Sequence, residues 1–161
     1  MEVEMKIRTL MMDPVTQMPI VVLRDLAGEA ILPIWVGVYE ANAIALEIEK
    51  IQTPRPLTHD LIKTMLQGMD ARVDRVVVSE LKDDTFFAVI WVEKDGKMMS
   101  VDARPSDAMA LALRTDCPIF VDEAVLATSK LSGSQDKTSQ NEELRRWLEN
   151  LNEEDFGRYK M

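Results

Sequence analysis

The chain has 161 residues, 47% of them hydrophobic, and a net charge of −9. It holds enough apolar material for a core without staples, and its single cysteine, Cys117, excludes an internal disulfide. The acidity sits in the body, −7 over residues 1–130 (14 basic against 21 acidic) and −2 over 131–161 (5 against 7), so the surplus of Lys and Arg that broad nucleic-acid binding uses to displace counterions is missing.

Val3–Met11 alternates and predicts a strand that Asp13 and Pro14 end. Ile20–Leu23 is β-branched and predicts the second strand. Leu26–Glu29 is a hairpin turn, Ala30–Val36 the third strand, and Gly37 its end. Glu40–Lys50 predicts a helix, with Ala41, Ile44, Ala45 and Ile48 at helical spacing. Pro54 and Pro56 stop that helix. Thr58 is the expected N-cap of the next one, Asp60 complements its dipole, and Leu61, Ile62, Met65, Leu66 and Met69 form its expected buried stripe. Strands over Val73–Leu81, Phe86–Glu93 and Met98–Ala103 follow, joined by turns at 82–84 and 94–97, and then a helix over Ser106–Arg114. Pro118–Val121 reads as one more strand and Asp122–Thr128 as a short helix. Leu131–Gln140 is Ser-rich and reads as a linker. Glu142–Leu151 reads as a short amphipathic helix with Leu144, Trp147, Leu148 and Leu151 on one face.

Two stretches of this chain resemble each other. Ile20–Leu46 aligns with Phe87–Leu113 without a gap at an offset of 67 (87 − 20), most closely where EANAIAL at Glu40–Leu46 meets DAMALAL at Asp107–Leu113. The expected fold is therefore α+β. An internally duplicated β-β-β-α unit (about 3–50 and 73–115) forms a mainly antiparallel sheet, with one helix inserted between the repeats. A domain over 1–130 is followed by a linker and short helical tail over 131–161. No apolar run approaches the roughly 18 residues of a membrane span, and MEVEMKIRTL lacks a signal-peptide pattern. The expected compartment is the cytoplasm, with Cys117 a small buried hydrophobe before Pro118.

Ionisable groups gather in two places. At the end of the third strand of the second copy, Asp102-Ala-Arg104-Pro-Ser106-Asp107 puts two carboxylates, a guanidinium and a hydroxyl at a strand–helix junction. The first copy has Trp35 opposite Asp102 and Gly37 opposite Arg104. One reading is a phosphate or metal site. Asp102 and Asp107 would hold a divalent cation and Arg104 would clamp a phosphate at the helix N-terminus. The other reading is structural, in which Ser106 caps the helix, Asp107 complements its dipole and Arg104 pairs with Asp102. The second place is Arg55-Pro-Leu-Thr58-His59-Asp60. His59 is the chain's one histidine, and at a first helical turn the dipole disfavours its cation, which suits a neutral base or ligand. A surface histidine without a role is the alternative. Glu40 and Asp107 occupy equivalent positions, either as a carboxylate pair across a pseudo-twofold or as two separate dipole partners. No Walker loop, Rossmann glycine pattern, CxxC pair or nucleophile elbow is present.

Three segments together resemble the bifunctional nuclease domain family. They are Leu32-Pro-Ile-Trp-Val-Gly37 with Glu40-Ala41, Arg55-Pro-Leu-Thr-His-Asp60-Leu61, and Asp102-Ala-Arg-Pro-Ser-Asp-Ala108 running into Ala110-Leu-Ala-Leu-Arg114. The resemblance covers about residues 1–130. It implies a compact α+β domain, a homodimer, and a nuclease activity that is ascribed to plant members on DNA and RNA. The resemblance carries over no catalytic set, but the polar asymmetry between the two copies and the single histidine make His59, Asp60, Asp102 and Asp107 the candidate catalytic residues. Arg55, Thr58, Arg104 and Ser106 are the candidate substrate contacts. Asp102, Asp107 and Glu40 are the candidate ligands of a Mg²⁺ or Mn²⁺ ion. The competing expectations are a dimeric binding or regulatory module without catalysis, and a sensor of a small anionic ligand.

Overall fold

Seven strands form one sheet in a computed structural model that describes residues 1–135. In chain order the elements are β1 (Glu2–Met12), β2 (Pro19–Asp25), β3 (Ile31–Trp35), α1 (Val38–Ile48), α2 (Thr58–Gly68), β4 (Arg72–Lys82), β5 (Thr85–Lys94), β6 (Lys97–Ala103), α3 (Pro105–Thr115), β7 (Ile119–Asp122) and α4 (Glu123–Gln135). The sheet order is β3-β2-β1-β7-β4-β5-β6. The antiparallel meanders β1–β3 and β4–β6 thus lie on either side of β7, and α1 and α3 follow the last strand of each. Every pairing is antiparallel except β4 with β7, which is parallel. The architecture is α+β with a mixed sheet.

Local chemistry explains the second meander. The β4–β5 and β5–β6 loops are two residues long, and both residues of each, Asp83-Asp84 and Asp95-Gly96, have positive φ. That is what a type I′ hairpin turn requires, and Asp and Gly tolerate it at low cost. Alternation then sorts the side chains. Val76, Val78, Ala88 and Ile90 face the helices, together with Val21, Leu23, Leu32 and Ile34 from the first meander and Ile119 and Val121 of β7. Ala41 and Ile44 of α1 and Met109 and Leu111 of α3 close the cluster from above.

Helix α2 differs from its expected packing. Of the stripe Leu61, Ile62, Met65, Leu66 and Met69, only Leu66 packs against the core. The others are exposed, from 38% at Ile62 to 55% at Met65. The reason is position: α2 packs on α3 rather than on the sheet, so it turns only an edge inward. Its cap residue is Leu57 rather than Thr58, and the Asp60 carboxylate accepts the Leu57 amide at 2.8 Å. At α3 the cap is Arg104, Pro105 opens the helix, and Ser106 makes no capping bond. Helix α4 runs past the expected end at Thr128 to Gln135 and takes in the first positions of the expected linker. The rest of that linker and the helix expected over 142–151 lie outside the described residues. Cys117 is partly buried, and burial pushes its thiol pKa up. No helix among the described residues is long and apolar enough to cross a membrane.

Leu32 of β3 is fully buried in the core cluster. Leu32→Ala is expected to lower unfolding free energy by about 2–5 kcal/mol, read from urea denaturation. A loss below about 1 kcal/mol would contradict a single packed core.

Candidate functional site

The first turns of three helices meet at the candidate site. Residue 59 on α2 and residue 107 on α3 are brought together across 48 positions of sequence, with His59 Nε2 lying 2.9 Å from Asp107 Oδ1. The other Asp107 oxygen accepts Arg104 Nε at 2.9 Å and pairs with its Nη2 at 2.8 Å. The same Nη2 reaches Glu40 Oε1 of α1 at 2.8 Å. Asp107 and Glu40 together hold the Arg104 guanidinium above its ordinary pKa, Asp107 more than Glu40. An ionised carboxylate can only accept, so Nε2 of His59 carries the hydrogen in this contact and Nδ1 is left as the basic position of the neutral ring.

Exposure grades the cluster. His59 is 7% exposed. The side chains of Glu40, Asp107 and Arg104 are 17%, 30% and 66% exposed. The guanidinium is the group a ligand would meet first. Glu40 reaches it because residue 37 is glycine: a Cβ there would collide with the Glu40 carboxylate. Thus Gly37 after β3 and Arg104 after β6 are complementary, one leaving the space that the other's partner occupies.

A second set of contacts sits behind the first. Arg114, in the last turn of α3, is 6% exposed. Its Nε donates to Asp60 Oδ1 at 2.7 Å, its Nη1 to the Ala110 carbonyl at 2.8 Å and its Nη2 to the Ala43 carbonyl at 3.0 Å. Burial pushes the Asp60 carboxyl up, but the Leu57 amide and the Arg114 guanidinium outweigh it and hold the pKa below its ordinary value. Asp60 is therefore a structural anion that holds α2 on α1 and α3. Arg114 received no role from the sequence. The signal was its place on the stripe 107, 110, 111 and 114 of α3, where a cation beside Ala110 and Leu111 requires a buried anion.

The remaining candidates stand apart. Asp102 pairs in register with Val89 and faces the side of the sheet away from α3, whereas Ala103 faces α3 with Ala88. It is exposed and does not pair with Arg104. Ser106 is buried; Arg55 and Thr58 are exposed in the approach to α2. As arranged, the residues do not fit the expected divalent cation. Arg104 already neutralises Glu40 and Asp107, and among the described residues no group of three or more His, Cys, Asp or Glu side chains is placed to hold a metal. A groove of about 240 Å³ lies elsewhere, lined by Lys63, Leu66, Gln67, Arg72 and Arg114 among others, and none of His59, Arg104 and Asp107 lines it.

Comparison with known proteins places this geometry in context. A family model described as the bifunctional nuclease domain matches residues 21–134. An uncharacterised protein of Mycobacterium tuberculosis is 44% identical over 113 residues, 70% of this chain and 67% of that protein. Bifunctional nuclease 1 of Arabidopsis thaliana is 30% identical over 109 residues, 65% of this chain and 34% of the plant protein. Bifunctional nuclease 1 of Oryza sativa subsp. japonica is 26% identical over 125 residues, 76% of this chain and 38% of the plant protein. The match thus spans little more than a third of the plant proteins' length.

Asp60 yields a pH-dependent prediction. A carboxyl whose folded pKa lies below its unfolded value contributes stability that is present above about pH 4 and lost as pH falls through the folded value. Asp60→Asn is expected to destabilise the protein by about 2 kcal/mol near neutral pH, less than a fully buried pair because Asp60 is partly solvated. In urea titrations the gap to the unaltered protein narrows below about pH 4. A gap that stays constant into that acidic range would contradict the Asp60–Arg114 assignment.

Proposed function

The chain belongs to the bifunctional nuclease domain family, and from that premise we propose that it is a nuclease that hydrolyses phosphodiester bonds in DNA and RNA. The observation that carries this reading is the convergence of an imidazole, two carboxylates and a solvent-facing guanidinium at the starts of α1, α2 and α3. Arg104 presents planar donors that match a phosphate's oxygens. Arg55, exposed ahead of α2, adds a second cation for the neighbouring phosphate, and Thr58 adds a hydroxyl. These local cations meet phosphate in an otherwise acidic body. Asp107 holds the His59 ring with Nε2–H toward it, so Nδ1 takes the proton of the attacking water and returns it to the leaving oxygen. Asp60 acts through Arg114 as a positioning residue.

The expected homodimer and cytoplasmic location belong to the same proposal. Leu61, Ile62, Met65 and Met69 leave an apolar stripe on the helix that carries His59, which is where a second copy would complete the domain. A second reading, a binding module without catalysis, is favoured by one observation. His59 is nearly buried, and its Nε2, both Asp107 oxygens, Arg104 and Glu40 already bond one another, as the parts of a structural pin would.

Labelled DNA and RNA incubated with the protein, with Mg²⁺, with Mn²⁺ and with chelator, separate the readings. His59→Gln and Asp107→Asn are each expected to reduce cleavage at least about 100-fold. Cleavage at full rate in both variants removes His59 and Asp107 from the mechanism. No cleavage by the unaltered protein under any ion condition favours the binding module. Gly37→Ala is expected to leave the melting temperature nearly unchanged, because only the end of the Glu40 side chain must move. It should still lower cleavage by releasing Arg104 from Glu40, and equal rates would show that this anchor is dispensable.

A further inference from the structure

Helices α1 and α3 are both 11 residues long and begin 67 positions apart (105 − 38), the offset at which the two sequence stretches align. Their first turns can be compared residue by residue. The first three helical positions are Val38, Tyr39 and Glu40 in α1 and Pro105, Ser106 and Asp107 in α3. In both turns the third residue is an acid that grips Arg104. The first two positions have opposite fates. Pro105 and Ser106 are buried, whereas Val38 is 64% exposed and Tyr39 89%. Among the described residues no other aromatic side chain is so exposed. A helix start does not by itself force this, since the same position in α3 is packed. Successive helical residues lie about 100° apart, so the phenol ring occupies the face of α1 that adjoins the Glu40 carboxylate, and that carboxylate holds the solvent-facing guanidinium.

We propose that Tyr39 is the stacking platform for the base next to the phosphate held by Arg104, and that the preferred substrate is therefore a single-stranded polynucleotide. The inference rests on the nuclease reading for the phosphate at Arg104 and adds to it the strand state of the substrate. Charge supports it. Affinity from phosphate contacts grows with the number of cations that displace counterions. The site offers Arg104 and Arg55, in a body of net charge −7 over residues 1–130 (14 basic against 21 acidic). The rest of the affinity has to come from a term that does not depend on charge. Stacking a base on an aromatic ring is such a term, and it tolerates any sequence because every base has a π-face. Inside a duplex a base already stacks on its neighbours and must first be flipped out at a cost. A single strand presents its bases without that cost. Val38, exposed one position earlier, extends the apolar surface beside the ring.

Binding to a dye-labelled, phosphorothioate-linked single strand that resists hydrolysis, and to a hairpin duplex of the same chemistry, tests it on the full-length chain. The unaltered protein is expected to bind the single strand at least about tenfold more tightly than the duplex. Tyr39→Ala is expected to lose about tenfold on the single strand and nothing on the duplex, while Tyr39→Phe and Tyr39→Trp keep the preference. Salt separates stacking from charge. Two phosphate contacts give log K against log salt a slope of about −1.4 on a single strand. Tyr39→Ala leaves that slope unchanged, and Arg55→Gln brings it to about −0.7. Tyr39 is exposed, so its variants keep the melting temperature of the unaltered protein. Equal affinities of the Tyr39→Ala and unaltered proteins for the single strand would overturn the proposal, as would equal losses on both probes. A Tyr39→Phe protein as weak as Tyr39→Ala would also do so, because the hydroxyl and not the ring would then be the contact. A Tyr39→Ala protein that sediments as a smaller species assigns the ring to a second copy, with the same consequence. The two readings fail separately. Tyr39-dependent single-strand binding with no cleavage in any ion condition removes the nuclease and leaves the platform. Cleavage that treats both strand states alike, with and without Tyr39, does the reverse.

Discussion

A buried guanidinium sets the constraint that organises this protein. Arg114 lies almost fully out of solvent, and a charge so placed is tolerated only when it is paired and its donors are used. Its three bonds go to three different helices: Asp60 of α2, Ala110 of its own α3, and Ala43 of α1. Removing any one of these partners leaves a buried donor without an acceptor. The first turn of α2 must therefore lie across α1 and α3. Because His59 precedes Asp60, the same requirement carries the imidazole to Asp107.

Helix α2 depends on such polar fastenings more than its neighbours do. Its apolar residues, Leu66 apart, contribute little to the core. What holds it is Asp60 on Arg114, His59 on Asp107, and Lys94, whose ammonium donates to the Met69 carbonyl just past its end. A helix held this way is positioned at its N-terminal turn, where directional bonds act, while its remaining face is left open for another surface. The junctions after β3 and β6 follow a related logic. Each helix start carries an acid that complements its dipole. Placed side by side, Glu40 and Asp107 would repel, and Arg104 neutralises both. Gly37 leaves Glu40 the room to turn toward it.

The strands were legible in the sequence because their signals are local. Apolar runs between Asp- and Gly-containing turns identified β4 to β6, and a β-branched run, a Gly-containing turn and helical spacing identified β2, β3 and α1. Asp102 was read with the right strand and the right alternation. What could not be read was which sheet face the helices would cover, and that face excludes it from the cluster. The stripe on α2 had regular spacing, yet periodicity reports only that one face is apolar, not that a partner awaits it. Thr58 had the chemistry of a cap, but the chain turns into the helix one residue earlier, and Asp60 takes the capping bond from the other side.

By itself the sequence determined the class of each segment, the family motifs and the residues worth suspecting, since these depend on neighbours within a turn or a hairpin. Tertiary structure alone decided which suspects meet. His59 and Asp107 are 48 positions apart, Asp60 and Arg114 are 54, and Ala43 and Arg114 are 71. Such encounters are set by the parallel pairing of β7 with β4 and by the need to satisfy one buried cation. Both arise from burial across the whole chain, to which no local pattern of residues is sensitive.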